Sequence, residues 1–269
     1  MGLNEFFATH PVFTTAELAD YQRDNGSRSR WTRKALLAHH RKHGHLLLVQ
    51  RGLYAVVPPG ATPETCPVDP YLVAAKLRDD AVLAYHTALE LHGKAHSVFN
   101  EFFFLSHTPP HQPTAFRSHR FRGVLFPKAL RDAGEEEHGV TVVDRSGVDV
   151  RVTRLERTLV DVLDRPDLSG GWEEAWRSLE SVEYFDLDEV VGYALLLGNA
   201  TTTAKAGYFL DQHRERLMVT EAHLDPLRKH LPKQPHYLER GRRSEGRLVS
   251  EWNLVVPVHV AERAWEEMP

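Results

Sequence analysis

The sequence predicts an α+β fold in two parts, on three observations. Residues 27–51 carry seven Lys/Arg (Arg28, Arg30, Arg33, Lys34, Arg41, Lys42, Arg51) and no Asp or Glu, whereas the whole chain of 269 residues has 33 basic and 37 acidic side chains. Four prolines in the ten residues Pro58–Pro67 then interrupt the chain. After them, short apolar runs bounded by turn residues give way, from Gly170, to helical periodicity.

The N-terminal part is read as residues 1–60. Asn4–Thr9 is a short apolar helix. Thr14 or Thr15 caps a second helix, Ala16–Asp24, which Asn25-Gly26 ends. Ser29–Lys42 has no Gly or Pro and forms a third helix, capped by Ser27 or Ser29 and followed by Gly44. At about 100° per residue, Arg30, Arg33, Lys34 and Arg41 share one side of it. Trp31, Ala35, Leu36 and Ala38 share another, and Leu37 falls among the basic residues. His45–Val49 and Leu53–Val57 are two strands joined by Gln50-Arg51-Gly52, a hairpin. Helix, helix, turn, basic helix and hairpin is the order of a winged helix-turn-helix. Arg28, Ser29, Arg30, Thr32, Arg33, Lys34 and Arg41 then stand where base edges and phosphates would lie, with Arg51 at the wing tip. Residues 1–57 hold eight basic and four acidic residues, about +4 on a chain whose net charge is −4. A basic module on an acidic body points to an anionic partner, double-stranded DNA.

The larger part, 61–269, is read as mixed, with strands over about 67–165, helices over about 170–230 and a final strand over about 252–258. Asp69 caps a helix that Pro70 opens, running to Leu77. Val82–His92 is read as a second helix, ended by Gly93. Phe99–Leu105 is a buried strand and Thr114–Val124 another. Val140–Val143 and Val148–Val152 flank the turn Asp144–Gly147. Leu155–Leu163 is a helix docked on that hairpin, with Arg157 and Asp161 placed to pair at its rim. Trp172–Leu179, Leu187–Leu197, Thr203–His213 and Glu221–His230 are helices, and Asp186 caps the second of them. Leu238–Arg247 is polar and basic; Arg240, Arg242, Arg243 and Arg247 form a second candidate contact for DNA or another anion.

No catalytic constellation emerges. There is no phosphate-binding glycine loop and no G-x-S-x-G or H-E-x-x-H. No Glu is followed two places on by Lys, so the acid–x–Lys element of many nucleases is missing. Asp186-Leu187-Asp188 opens a helix and is read as a cap rather than a metal-binding carboxylate pair. Among 17 histidines, His39, His40, His43 and His45 cluster, and His107 and His111 are four apart; both groups are read as surface or capping side chains. The expectation is no metal, no cofactor and no enzymatic activity. One cysteine, Cys66, excludes an intramolecular disulfide. No apolar run reaches 18 residues and the N-terminus has no signal-peptide pattern, so a cytoplasmic protein without a membrane partner is expected.

Several segments together resemble the AbiEi antitoxins of type IV abortive-infection systems. They are the N-terminal helices ending in R-G-L-Y-A-V-V-P (Arg51–Pro58) and D-P-Y-L-V-A-A-K-L (Asp69–Leu77) with A-Y-H-T-A-L-E-L-H-G (Ala84–Gly93). Further along come V-T-R-L-E-R-T-L-V-D-V-L (Val152–Leu163), then S-G-G-W-E-E (Ser169–Glu174) with A-G-Y-F-L-D (Ala206–Asp211). The order of the segments carries the likeness, which extends over most of the chain. The resemblance implies an autorepressor binding inverted repeats in its own promoter. It also implies a C-terminal domain that counters a cognate nucleotidyltransferase toxin, without catalysis and without requiring a stable complex. The alternatives are a ligand-responsive winged-helix regulator without a toxin, and a nucleic-acid-acting enzyme with a winged-helix targeting domain.

Overall fold

The computed structural model describes residues 3–26, 30–238 and 246–262. Among them are thirteen α-helices and three sheets, a mixed α+β architecture. The chain divides into two compact units. One is Met1–Leu83 with Asn100–Leu125 and Val142–Arg151; the other is Ala84–Phe99 with Phe126–Thr141 and Val152–Pro269.

The first unit begins with α1 (Leu3–Thr9), β1 (Val12–Thr14), α2 (Thr15–Asp24), α3 (Arg30–Lys42), β2 (Leu46–Gln50) and β3 (Leu53–Val56). Thr14 is the cap that starts α2. Its hydroxyl accepts from the Glu17 amide (3.2 Å), and the Glu17 carboxylate accepts from the Thr14 amide (2.6 Å), a capping box. The three strands form one antiparallel sheet in the order β1-β3-β2, with Val12 opposite Ala55 and Leu46 opposite Val56. Phe6, Phe13, Leu18, Leu37 and Leu46 are buried together between this sheet and the helices. Their aromatic rings meet edge-on, Phe6 to Phe13 at 5.1 Å between centres.

Asp69 and Pro70 open α4 (Pro70–Lys76) as expected, the Asp69 carboxylate accepting from the Tyr71 amide (2.9 Å). The expected helix 82–92 divides into a strand and a helix. Val82–Leu83 is β4, paired with Leu105 and Phe104, and a helix, α5 (His86–Leu91), starts only after Tyr85. The all-apolar run Ala81–Tyr85 suits a buried strand as well as a helix, and the sheet claims it. Tyr85 takes φ 56 to make the break. β5 (Glu101–Ser106) pairs in parallel with β7 (His119–Leu125), Glu101 opposite Arg120. The single strand expected over 114–124 is a hairpin, β6 (Thr114–Phe116) and β7. Arg117 turns it at φ 55 and its guanidinium donates to the carbonyls of Cys66 and Pro63 (2.7 Å). β8 (Val140–Arg145) and β9 (Val148–Thr153) complete a six-stranded sheet, β6-β7-β5-β4-β9-β8.

The second unit is mostly helical: α5, α6 (Lys128–Ala133), α7 (Leu155–Asp164), α8 (Trp172–Glu180), α9 (Leu187–Leu196), α10 (Ala200–Gln212), α11 (Arg214–Leu217) and α12 (Glu221–Arg228). α7 is its centre, buried from Arg157 to Leu163 and packed against α9 and α10. Asp186 caps α9, accepting from the Glu189 amide at 3.2 Å. α10 starts at Ala200 because Asn199 is its cap, accepting from Thr201 (3.0 Å). β10 (His236–Tyr237) and β11 (Gly246–Val249) flank β12 (Leu254–Pro257), ahead of a last turn, α13 (Val258–Ala261). The strand expected over 252–258 is thus shorter, and Trp252 leaves it to pack on α10.

Candidate nucleic-acid interface

Among the described side chains of α3, one is fully buried. Leu37 is buried, Arg33, Leu36 and His40 are half-buried, and Thr32, Lys34, Ala35, Ala38, His39, Arg41 and Lys42 are exposed. The inward line is therefore Arg33–Leu37–His40, with Leu36 half-buried beside it and Ala35 and Ala38 exposed. Burying Leu37 removes far more apolar surface from water than burying Ala35 or Ala38, so leucine sets the rotation of the helix. Arg33 consequently does not project freely. Its Nε donates to Oε1 of Gln22 on α2 (2.9 Å), which ties the two helices. Among the described side chains of α3, Lys34 and Arg41, both candidates, and Lys42 are exposed cations, on a helix with no acidic residue. α3 starts at Arg30; Arg28 and Ser29, and the side chain of Arg30, lie outside what the structure describes.

The hairpin is fixed against α2. Gly52 turns at φ 89, and its carbonyl accepts from both the amide (2.8 Å) and the hydroxyl (3.0 Å) of Thr15. Arg51 is exposed on that turn. Glu17, the capping-box acid, also pairs with Lys76 of α4. Burial opposes its ionisation, but the hydrogen bonds from Lys76 and Thr14 prevail and hold the carboxyl below its ordinary range. The basic helix and its hairpin thus stand on a pinned scaffold within the first unit.

Four histidines close α3. The rings of His39 and His43 lie 4.1 Å apart, and Nδ1 of His40 is 3.3 Å from Nδ1 of His45. Partial burial, then the positive charge that His45, His39 and His43 gain on protonation, pushes the His40 imidazole below its ordinary pKa. A cavity of about 860 Å³ opens beside them, walled by Phe7 and Ala8 of α1, by Val56 and Val57, and by the turn Pro58–Pro63. Among the described residues no three His, Cys, Asp or Glu side chains are grouped to hold a metal ion. Of the second basic cluster, Arg247 is exposed on β11, opposite Val256; Arg240, Arg242 and Arg243 lie outside the described residues.

The second unit holds two buried polar clusters. The Arg157–Asp161 pair expected at a rim is in the core, both side chains at 3% exposure or less and Nε to Oδ2 at 3.4 Å. The Arg157 guanidinium also donates to the carbonyls of Glu136 (2.8 Å) and His138 (2.6 Å), and Tyr193 Oη donates to Asp161 (2.7 Å). Burial raises the Asp161 carboxyl to about 6 against the opposing pull of Arg157. The other cluster was not anticipated. His86 lies between Glu174 (Nε2 to Oε1, 3.1 Å) and Glu90 (Nδ1 to Oε1, 3.4 Å), with its ring stacked on Phe99 at 3.9 Å. Glu174 further accepts from the Ser97 amide (2.8 Å) and the Ser178 hydroxyl (3.1 Å). The A-Y-H-T run carried the only sequence signal, a His inside an apolar stretch.

No helix among the described residues is long and apolar enough to cross a membrane. No protein-family model and no curated protein matches the chain. The crystal structure of the RV2827C protein from Mycobacterium tuberculosis is similar, with a TM-score of 0.58 and 18% identity over 98% of this chain and 93% of that one. At that identity the two chains share a fold along nearly their whole lengths, an α+β arrangement of helices and sheets.

Proposed function

We propose that this chain is a cytoplasmic DNA-binding autorepressor and the antitoxin against a nucleotidyltransferase toxin. In this reading residues 1–60 are a winged helix-turn-helix. α2 and α3 are its helical pair, α3 is the helix presented to the major groove, and the β2–β3 hairpin is the wing. The supporting observation is one arrangement: the order α1-β1-α2-α3-β2-β3 closed by the sheet β1-β3-β2, with exposed Lys34, Arg41 and Lys42 on an acid-free helix and Arg51 on the hairpin turn. The exposed cations neutralise phosphates, and the N-terminal end of α3 reads base edges of an inverted repeat in the promoter. The antitoxin half rests on the sequence resemblance and asks no catalysis of the second unit. A ligand-responsive regulator without a toxin partner is the second reading, favoured by the cavity beside the end of α3.

The test is promoter binding by the full chain and its variants over a salt series. Lys34→Ala with Arg41→Ala is expected to weaken binding and to reduce the slope of log K against log salt by about 1 per removed phosphate contact. Arg51→Ala should act in the same direction through the wing. Arg33→Ala should lose thermal stability as well, because it breaks the bond to Gln22. Unchanged affinity and slope in the Lys34/Arg41 double variant would remove α3 from the interface. For the second half, co-expression with a neighbouring nucleotidyltransferase should restore growth.

A further inference from the structure

We propose that the β6–β7 hairpin is a second phosphate-binding surface, with Arg120 and Arg122 contacting the backbone of the same DNA duplex that α3 meets. This rests on the DNA-binding reading of α3 and carries the contact beyond residues 1–60.

No acidic residue stands between Glu101 and Asp132, and the interval holds Arg117, Arg120, Arg122, Lys128 and Arg131. Three of these five are engaged within the protein. Arg117 donates to the carbonyls of Pro63 and Cys66, Lys128 pairs with Asp132, and Arg131 donates to the Phe126 carbonyl (3.0 Å). Arg120 and Arg122 differ. They lie two apart on β7 and so share one face of the strand, and both are exposed while Phe121 between them is buried. Glu101 stands opposite Arg120 on β5, yet neither arginine has a carboxylate partner among the described residues.

Exposed charge on a sheet commonly guards an edge strand against pairing with another chain. The edge strand here is β6, and its Thr114-Ala115-Phe116 carries no charge; the arginines are on its inner neighbour. The exposed acids Asp144 and Asp149 are on β8 and β9, at the opposite side of the sheet. Charge is thus divided along the sheet, with the positive end at β7.

That positive end is fastened to the end of α3. Arg117, at the hairpin turn, donates to the Pro63 carbonyl at 2.7 Å. Pro63 packs on Gly44, where an added Cβ would lie 3.1 Å from the proline Cγ, and it lines one depression together with Arg41 and Lys42. All these residues belong to the first unit. Two residues along a strand advance about 6.8 Å, twice the axial spacing of about 3.4 Å between phosphates on one DNA strand, so each guanidinium meets a phosphate of its own.

The experiment is binding of the full chain to its upstream DNA and to scrambled DNA of equal length over a salt series. Arg120→Ala with Arg122→Ala is expected to make the slope of log K against log salt shallower by about 1.8, so that raising salt from about 50 to about 200 mM weakens the parent roughly tenfold more than the variant. The preference for upstream over scrambled DNA should stay as in the parent, because phosphate contacts carry no sequence information. Arg120→Lys with Arg122→Lys should keep the parent slope. Both side chains are exposed, so circular dichroism and thermal midpoint should be those of the parent. Parent-like affinity and slope in the alanine double variant, with binding weakened in the Lys34/Arg41 variant, would overturn this surface and leave α3 in the interface. A parent chain that binds neither fragment would overturn both.

Discussion

Gly207→Ala is expected to destabilise the second unit by at least about 2 kcal/mol, although alanine is the better helix former. Gly207 is buried in the middle of α10, and a Cβ there would lie 2.0 Å from Cζ3 and 2.4 Å from Cη2 of Trp252. The indole has no free direction to retreat. Trp252 is fully buried, its Nε1 donates to Asp211 at 2.9 Å, and the Arg228 guanidinium lies 5.5 Å from its ring centre. Alanine in place of glycine would ordinarily stabilise a helix interior by about 1 kcal/mol. The overlap must therefore outweigh that gain for the sign to be negative. Thermal unfolding checks it, with an expected loss of roughly 4–8 °C for a chain of this size. Combining Gly207→Ala with Trp252→Leu should cost less than the sum of the two single changes, because the second removes the clash that the first creates. A Gly207→Ala variant as stable as the parent would mean that Trp252 does not pack there.

Arg157→Met is expected to cost about 3–5 kcal/mol at pH 8, the range for breaking a buried ion pair by removing one partner. The variant leaves Asp161 in the core with Tyr193 as its remaining donor, and it also leaves the Glu136 and His138 carbonyls without their guanidinium donor. The pH dependence follows from the direction of the Asp161 shift. Its carboxyl is raised to about 6 in the folded chain, above the ordinary value of 3.8. A raised acid contributes stability that is fully present below the unfolded value and is lost as pH rises through the folded one. In the parent this window runs from about 4 to 6. Removing Arg157 takes away the charge that lowers the carboxyl, so the window extends upward and the variant loses more stability between pH 5 and 8 than the parent does. Urea midpoints at several pH values measure both. Equal midpoints for variant and parent at pH 8 would contradict the buried pair.

Local rules made the segment starts legible. Asp69, Asp186 and one of Thr14 and Thr15 were readable as caps because a small oxygen-bearing side chain before an apolar run has few other uses; the structure selects Thr14. Gly52 and the Asp144–Gly147 turn marked their hairpins for a similar reason. What stayed hidden depended on partners remote in sequence. Val82-Leu83 becomes a strand because β5 offers Phe104 and Leu105, and no local propensity states that. The strand over 114–124 breaks at Arg117, whose guanidinium finds the Pro63 and Cys66 carbonyls some fifty residues earlier.

The candidate site shows the same division. That α3 is basic and acid-free was visible. Which side faces inward was not, because Leu37 falls among the basic residues and no clean apolar face exists; burial energy favours leucine over two alanines. Arg157 and Asp161 were recognisable as partners at i, i+4. Their depth was not, since it is set by α6–β8 residues and by Tyr193 closing over them.

The central claim is that the N-terminal module reads DNA. The most direct measurement is binding of the purified full chain to the DNA upstream of its own gene, against scrambled DNA of equal length, at two salt concentrations. The account predicts tighter binding to the upstream fragment, with affinity for both falling as salt rises. Equal affinity for the two fragments, or binding indifferent to salt, would contradict it.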